Sequence, residues 1–472
     1  MKDILELSDY QKLNLFAYIE SSATQSVSVQ EIQDEFELTY FKATSMMNGL
    51  IRDFEQLEMD AYFYIEKSNG TYVYKKSGLD SINRLIWMYG RRSLKFNLLH
   101  YLLKNPDSSI EKFSEDIFIS LTKGYKVKNE LAIFLKNYQI EHLFPKTRDE
   151  EFKIRLVLAQ LYYYIFKDYE LPFVENDIVI AEGIMEQLKL SQYCQFENHW
   201  NQVFLKYYLI ISIERSSKGY SGYDGIISDS QALSQFQEID IFRYLKNEKL
   251  RMAEKKYLYR FLVAQNWLKG SREVSKLPLQ LTAEILVIFK ESYQTQNQKT
   301  DFLSQTLEAE LIQIIYRYHS FGNLLIDGFF YTSLKAFKES YYELYLGTNG
   351  FIAQLQKRKI VNNIVGHKTF FMEILMLVLK HFNLDDFIPG IVVTVNFSIG
   401  EHYNEFIKTT LRSLPLANME ITENYSERTD IYLSDVLSRE INSKYIIWNS
   451  PPTPADWEVF GNLVARVKGE KI

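Results

Sequence analysis

Between Ser109 and Asn137 the chain sets hydroxyl, ammonium and amide groups at short intervals: Ser120, Thr122, Lys123, Tyr125, Lys126, Lys128 and Asn129. Ammonium groups neutralise phosphates, and hydroxyls and amides bond to phosphate oxygens or base edges, so this set suits contact with a polyanion. An apolar tail follows at Leu131, Ile133, Phe134 and Leu135, and a short helical pattern precedes it from Ile110 to Glu115. A short helix, a turn and a second helix with a polar, basic start is how a helix-turn-helix presents one helix end to the major groove of double-stranded DNA. An ordinary amphipathic helix pair with a solvated lysine face fits the same residues.

Other chemistry finds less support. The seven histidines are His100, His142, His199, His319, His367, His381 and His402, and no HxH or HExxH spacing occurs among them, so metal binding is not expected. Cys194 is the only cysteine, which excludes an internal disulfide framework and fits a reducing, cytoplasmic compartment. The chain has no GxxxxGK[ST], GxGxxG or GxSxG motif. Neither an enzyme nor a cofactor is expected.

The net charge of −6 argues against indiscriminate coating of nucleic acid, but it hides an asymmetry. Residues 1–83 carry 7 Lys and Arg against 14 Asp and Glu, whereas residues 84–148 carry 12 against 6. The +6 window surrounds the lysine-bearing stretch, which marks it as the main candidate for phosphate contact. The start, MKDILELSDYQKLNLF, has no basic segment followed by an apolar core, so no signal peptide is read. The longest apolar candidates, Tyr207–Ile213 and Phe370–Leu379, are too short to span a membrane, and no membrane contact is expected.

Several elements must hold these residues. Residues 9–22 and 27–36 read as helices, the second with Ser28 as N-cap, and Thr39 opens a third that offers Thr39, Tyr40, Lys42, Thr44 and Ser45 as DNA contacts. A hairpin around Asn69-Gly70 follows, and three helices plus a two-stranded hairpin make a winged helix-turn-helix. Leu79–Arg92 is a connecting helix and Leu94–Lys104 the first helix of the second unit; any wing there would lie in EHLFPKTRDEEFKI. From Glu151 to about Asp385 long aromatic-rich helices recur in two groups joined near QNQKTD. The last 80 or so residues alternate strands and helices, starting with IVVTVNFS, which predicts a small α/β domain with a mainly parallel sheet.

This order resembles the Mga/AtxA family of transcriptional regulators that carry phosphotransferase-system regulation domains (PRDs). The resemblance implies a mainly α, multidomain chain: a winged helix-turn-helix (1–78), a second helix-turn-helix (79–150), PRD-like helical domains (151–295 and 296–388) and an α/β domain like the EIIB component of sugar phosphotransferase systems (389–472). It further implies a DNA-binding activator that forms a homodimer through its C-terminal domain. Control would come from histidine phosphorylation by HPr or another phosphocarrier. His199 best matches the first acceptor position, with His367 and His381, and behind them His319, in the second domain. Gln265 stands about where a second histidine is often found, and His100, His142 and His402 read as ordinary. The EIIB-like loop NFSIGEHYNEF holds Ser398 and Gly400 but no cysteine nucleophile, so an interface role fits better than phosphoryl transfer. The competing reading is a helical scaffold or sensor that uses its winged helices for protein contacts.

Overall fold

A computed structural model of the 472-residue chain describes residues 3–20, 26–59, 63–68, 71–76, 82–141, 143, 149–191, 193–194, 196, 198–220, 236–268, 277–293, 303–321, 325–326, 342–361, 368–382, 390–413, 419–437 and 441–470. They form two compact units. One comprises residues 1–277, 312–333 and 359–370; the other comprises 278–311, 334–358 and 371–472. Among the described residues the chain is mostly helical, with a small parallel sheet near its C-terminal end, and no helix is long and apolar enough to cross a membrane.

The first unit opens with α1 (Leu7–Glu20), β1 (Ser26–Ser28), α2 (Val29–Phe36), α3 (Tyr40–Gln56), β2 (Phe63–Ser68) and β3 (Thr71–Lys76). Ser28 and Glu31 form a reciprocal capping box that starts α2, as the Ser-x-x-Glu spacing requires. The expectation of a helix from Val27 is corrected by one element. Ser26–Ser28 is a strand paired antiparallel with β3, so the wing belongs to a three-stranded sheet, not a lone hairpin. Val27 is buried there, and a single β-branched residue before a helix cap gives too short a pattern to read as a strand. β2 and β3 pair in register, with Ser68 opposite Thr71; the expected Asn69-Gly70 turn lies outside the described residues.

Next come α4 (Asn83–Arg92), α5 (Leu94–Lys104), α6 (Ile110–Asp116) and α7 (Leu121–Lys136), then α8 (Asp149–Phe166), α9 (Glu175–Leu190), α10 (His199–Ser217) and α11 (Glu248–Gln265). Helix α8 occupies the end of the segment where a second wing would lie, and residues 144–148 are outside the described set. Burial of Leu13, Phe16, Leu50, Phe54, Leu85, Tyr89, Phe96, Leu131, Tyr162 and Tyr207 in one continuous core joins both helix-turn-helix modules to the helical body.

In the second unit α12 (Leu279–Tyr293) packs on α14 (Tyr342–Lys357), where the Tyr293 and Thr348 hydroxyls are 2.7 Å apart. Helices α13 (Gln305–Phe321) and α15 (Lys368–His381), each divided between the two units, bear His319 and His381; the expected linker at 296–301 lies outside the described residues. The C-terminal sheet has the order β5 (Met419–Thr422), β4 (Ile391–Val395), β6 (Ile431–Ser434), β7 (Lys444–Ile447), and every pairing is parallel. Central β4 and β6 are buried throughout, as a sheet covered on both faces requires, while the edge strands are partly exposed. Helices α16 (Glu401–Ser413) and α17 (Pro454–Glu470) complete this core through Ile407, Leu411, Phe460 and Val464.

A buried ion cluster ties the first module to α4. Arg92 bonds both carboxylate oxygens of Asp9 (2.6 and 2.5 Å) and reaches Asp53 at 3.1 Å, while Lys12 and Tyr89 also donate to Asp53 (2.6 and 2.7 Å). Burial alone would raise the Asp53 carboxyl, but donation from Arg92, Lys12 and Tyr89 outweighs it and holds the group below the usual aspartate range. Asp53→Ala should therefore cost about 3 kcal/mol at pH 7, because it strands buried donors. A depressed folded-state value stabilises above the unfolded aspartate range and stops doing so as acid protonates the folded group. Hydrogen exchange of α1 and α3 amides should show the full difference between wild type and variant at pH 7 and a shrinking one below about pH 4.

Candidate nucleic-acid interface

The α6–α7 pair is shaped by its caps and one close approach. The Ser109 hydroxyl accepts from the Lys112 amide and the Ser120 hydroxyl from the Lys123 amide, each at 3.3 Å, so both helices start at a serine cap. Between them Phe118 is left-handed (φ 56°), and the Ile119 amide turns back to the Ser114 carbonyl at 3.0 Å. Gly124 lies against α6: a methyl added there would sit 2.2 Å from the Ser114 hydroxyl and 3.1 Å from Ile110 Cγ2. The buried stripe of α7 is Val127, Leu131, Phe134 and Leu135, at helical spacing. Ile133, read from the sequence with the apolar tail, falls off this stripe and is exposed.

Around that stripe Ser120, Thr122, Lys123, Tyr125, Lys126, Lys128 and Asn129 are all exposed, on one helix and its cap. Tyr125 donates to Glu111 of α6 at 2.5 Å, and this bond, followed by backbone and Ser109 donation, holds the Glu111 carboxyl down at about 2. The ring is thereby fixed beside the lysines, with the Lys128 ammonium 5.9 Å from its centre. Lys126 lies 3.9 Å from Glu130, a loose surface contact that leaves its charge available to a phosphate. Sequence reasoning passed over Phe118 and Leu121, which are 95% and 46% exposed at the turn and first position of α7.

The first module repeats this geometry without a gap. Caps Ser28 and Thr39, left-handed Glu37, and buried Ala43 and Leu50 stand 81 positions before Ser109, Ser120, Phe118, Gly124 and Leu131. The sequence holds this signal as Ser-x-x-[Glu/Lys] followed by a second hydroxyl cap at a fixed interval. Thr39 caps α3, Tyr40, Lys42 and Ser45 are exposed, and the half-buried Thr44 spends its hydroxyl on the Tyr40 and Phe41 carbonyls. Exposed Glu31, Asp34, Glu35 and Glu37 on and beside α2 set it apart from the basic second module.

Residues 80–162 match the family model of the Mga helix-turn-helix domain. Over this segment the chain is similar to that domain. The matched segment contains α4 to α7 and most of α8, so the resemblance to Mga-like regulators holds on the module with the exposed lysines. No curated protein matches the chain. A DNA-binding regulator is what this domain indicates.

Helix α10 joins the matched helix-turn-helix segment to the helical body. Near its C-terminal end Arg215 bonds both oxygens of Glu151 at 2.6 Å and donates to the Leu143 carbonyl at 3.0 Å, just past α7. Lys218 donates to the Leu103 carbonyl at the end of α5 (2.7 Å). Arg155 bridges Glu151 and Glu254, completing a buried set of two arginines and two glutamates whose charges cancel.

At the other end of α10, His199 is exposed and its Nε2 lies 2.9 Å from Asp168. Two residues on, Glu170 accepts from the Trp87 indole at 3.1 Å and lies 3.5 Å from Arg91, both on α4. His100 differs: it is half-buried against Tyr162 (2.6 Å), and desolvation lowers its imidazole to about 4, keeping it neutral. His319 Nδ1 is 2.5 Å from the Ile360 carbonyl, and His381 is largely shielded with its Nε2 3.0 Å from Glu310. His402 is exposed, whereas His142 and His367 lie outside the described residues. The buried amide nitrogen of Gln265 has no hydrogen-bond partner among the described residues.

In the C-terminal domain the loop after β4 is closed by the chain's own carboxylate. Asp435 accepts from the Ser398 amide (2.7 Å) and hydroxyl (2.6 Å), and Gly400 takes φ 118°, a backbone conformation that suits glycine.

The α6–α7 approach makes Gly124 a sensitive position. Gly183 in α9 has open space around its missing side chain, so Gly183→Ala should gain about 1 kcal/mol from helix propensity. Gly124→Ala should instead lose about 1–3 kcal/mol from overpacking, and adding Ser114→Gly should recover much of the loss in thermal melts.

Proposed function

We propose that this protein is a non-enzymatic transcriptional regulator that acts as a cytoplasmic homodimer and holds double-stranded DNA mainly through its second helix-turn-helix module. The observation that carries the reading is the exposure of Lys123, Lys126 and Lys128 on α7, inside the segment that matches the Mga helix-turn-helix model. The first module adds contacts through Tyr40, Lys42 and Ser45, weakened by its acidic flank. Activation is the outcome that the family resemblance favours.

Homodimerisation through the C-terminal domain is supported by exposed apolar side chains around its closed loop: Ile399, Val436 and Leu437. A loop already bonded by Asp435 and lacking a cysteine suits contact, not phosphoryl transfer. Control by HPr or a similar phosphocarrier would act first at His199, with His381 and His367 as further acceptors. A phosphoryl group adds roughly two negative charges, which would repel Asp168 and loosen the 168–170 loop that Glu170 fastens to Trp87 and Arg91. That displacement would reach α4, and with it the DNA-binding segment, along bonded side chains.

Three measurements bear on this. In a gel-shift titration on mixed genomic fragments, wild type should be retained with steep salt dependence and the Lys123→Ala/Lys126→Ala/Lys128→Ala variant should not. Absence of wild-type retention even at low salt would select the scaffold reading, in which the exposed Tyr40 and Phe41 meet a protein. His199→Glu should weaken retention about fivefold or more relative to His199→Gln at fixed salt, and equal affinities would remove His199 from the mechanism. Ile399→Asp/Val436→Asp should lower the dimer fraction in sedimentation velocity, whereas an unchanged profile would place the interface elsewhere.

A further inference from the structure

The surface around the start of α7 is apolar as well as basic, and electrostatic contact with phosphates does not require that. Leu121 and Thr122 are the first two residues of the helix, both exposed, and Phe118 stands almost fully exposed in the turn before them. Phe118 is also left-handed, a conformation unusual for a bulky side chain, at the position where the first module has Glu37. Lys123, Lys126 and Lys128 follow directly, so whatever meets this surface presents apolar groups between negative charges.

The major groove of A·T-rich DNA has that chemistry: thymine C5-methyl groups line it between two phosphate backbones. The first residues of a recognition helix are the ones that reach base edges. Resting on the reading of the second module as the DNA grip, we propose that Phe118, Leu121 and Thr122 recognise thymine methyl groups, giving this module a preference for thymine-containing steps. The lysines supply affinity for any duplex, and the apolar group selects among duplexes.

The test replaces thymine with deoxyuridine, which removes the methyl and keeps every Watson–Crick bond. The full chain is titrated by fluorescence anisotropy against an A·T-rich duplex and its uracil counterpart, beside Phe118→Ser/Leu121→Ser, whose changed positions are on the surface. Wild type should bind the uracil duplex about fourfold more weakly for each methyl it buries, and the variant should bind both duplexes alike. Salt-sensitive wild-type binding that is equal on the two duplexes would overturn methyl recognition while leaving the DNA reading intact. Equal discrimination by wild type and variant would also overturn it, because the loss would then come from DNA shape. No binding to either duplex at low salt would remove the DNA reading itself, and this proposal with it.

Discussion

Arg92 is the side chain on which the arrangement of the two helix-turn-helix modules depends. It leaves the last turn of α4 and is held between Asp9 of α1 and Asp53 of α3, with Lys12 and Tyr89 completing the set. Two buried carboxylates without that guanidinium would be costly to desolvate, and the guanidinium without them equally so. The cluster therefore has one satisfied arrangement. Next to it the Ser93 hydroxyl and the Lys95 ammonium bond the Ile4 and Leu5 carbonyls. The first module is thus bonded directly to the segment that opens the second.

The same physics operates at the second junction. Glu151, Arg155, Arg215 and Glu254 bring three helices together with charges that cancel, and Arg215 and Lys218 extend bonds to the carbonyls of Leu143, beyond α7, and of Leu103 in α5. A helix of 19 residues spans about 28 Å at 1.5 Å per residue. Helix α10 accordingly runs from the exposed His199 to side chains bonded to the matched helix-turn-helix segment.

Much of the fold was legible in the chain because its signals are local. Ser28, Thr39, Ser109 and Ser120 each cap a helix where the spacing predicts one, and the β-branched run at 391–395 forms the central buried strand of a parallel sheet. The lysine face of α7 was legible for the same reason, since helical periodicity sorts exposed from buried positions. Strand β1 was not, because three residues earn their place only by pairing with β3 some 45 residues later. Ile133 is apolar by type but exposed by position, off the 127, 131, 134 stripe.

The sequence by itself determined the helices, their caps, the basic character of residues 84–148 and the α/β pattern at the end, because each follows from neighbours within a few turns of chain. Only the tertiary structure decided which charges are buried partners and which remain available. Asp9, Arg92, Glu151 and Arg215 look like any surface charges in the sequence, yet each is consumed by a partner more than 60 residues away. Tertiary packing likewise exposed Phe118 and Leu121 and closed the Ser398 loop with Asp435. Burial and pairing are properties of distant segments brought together, and no local pattern encodes them.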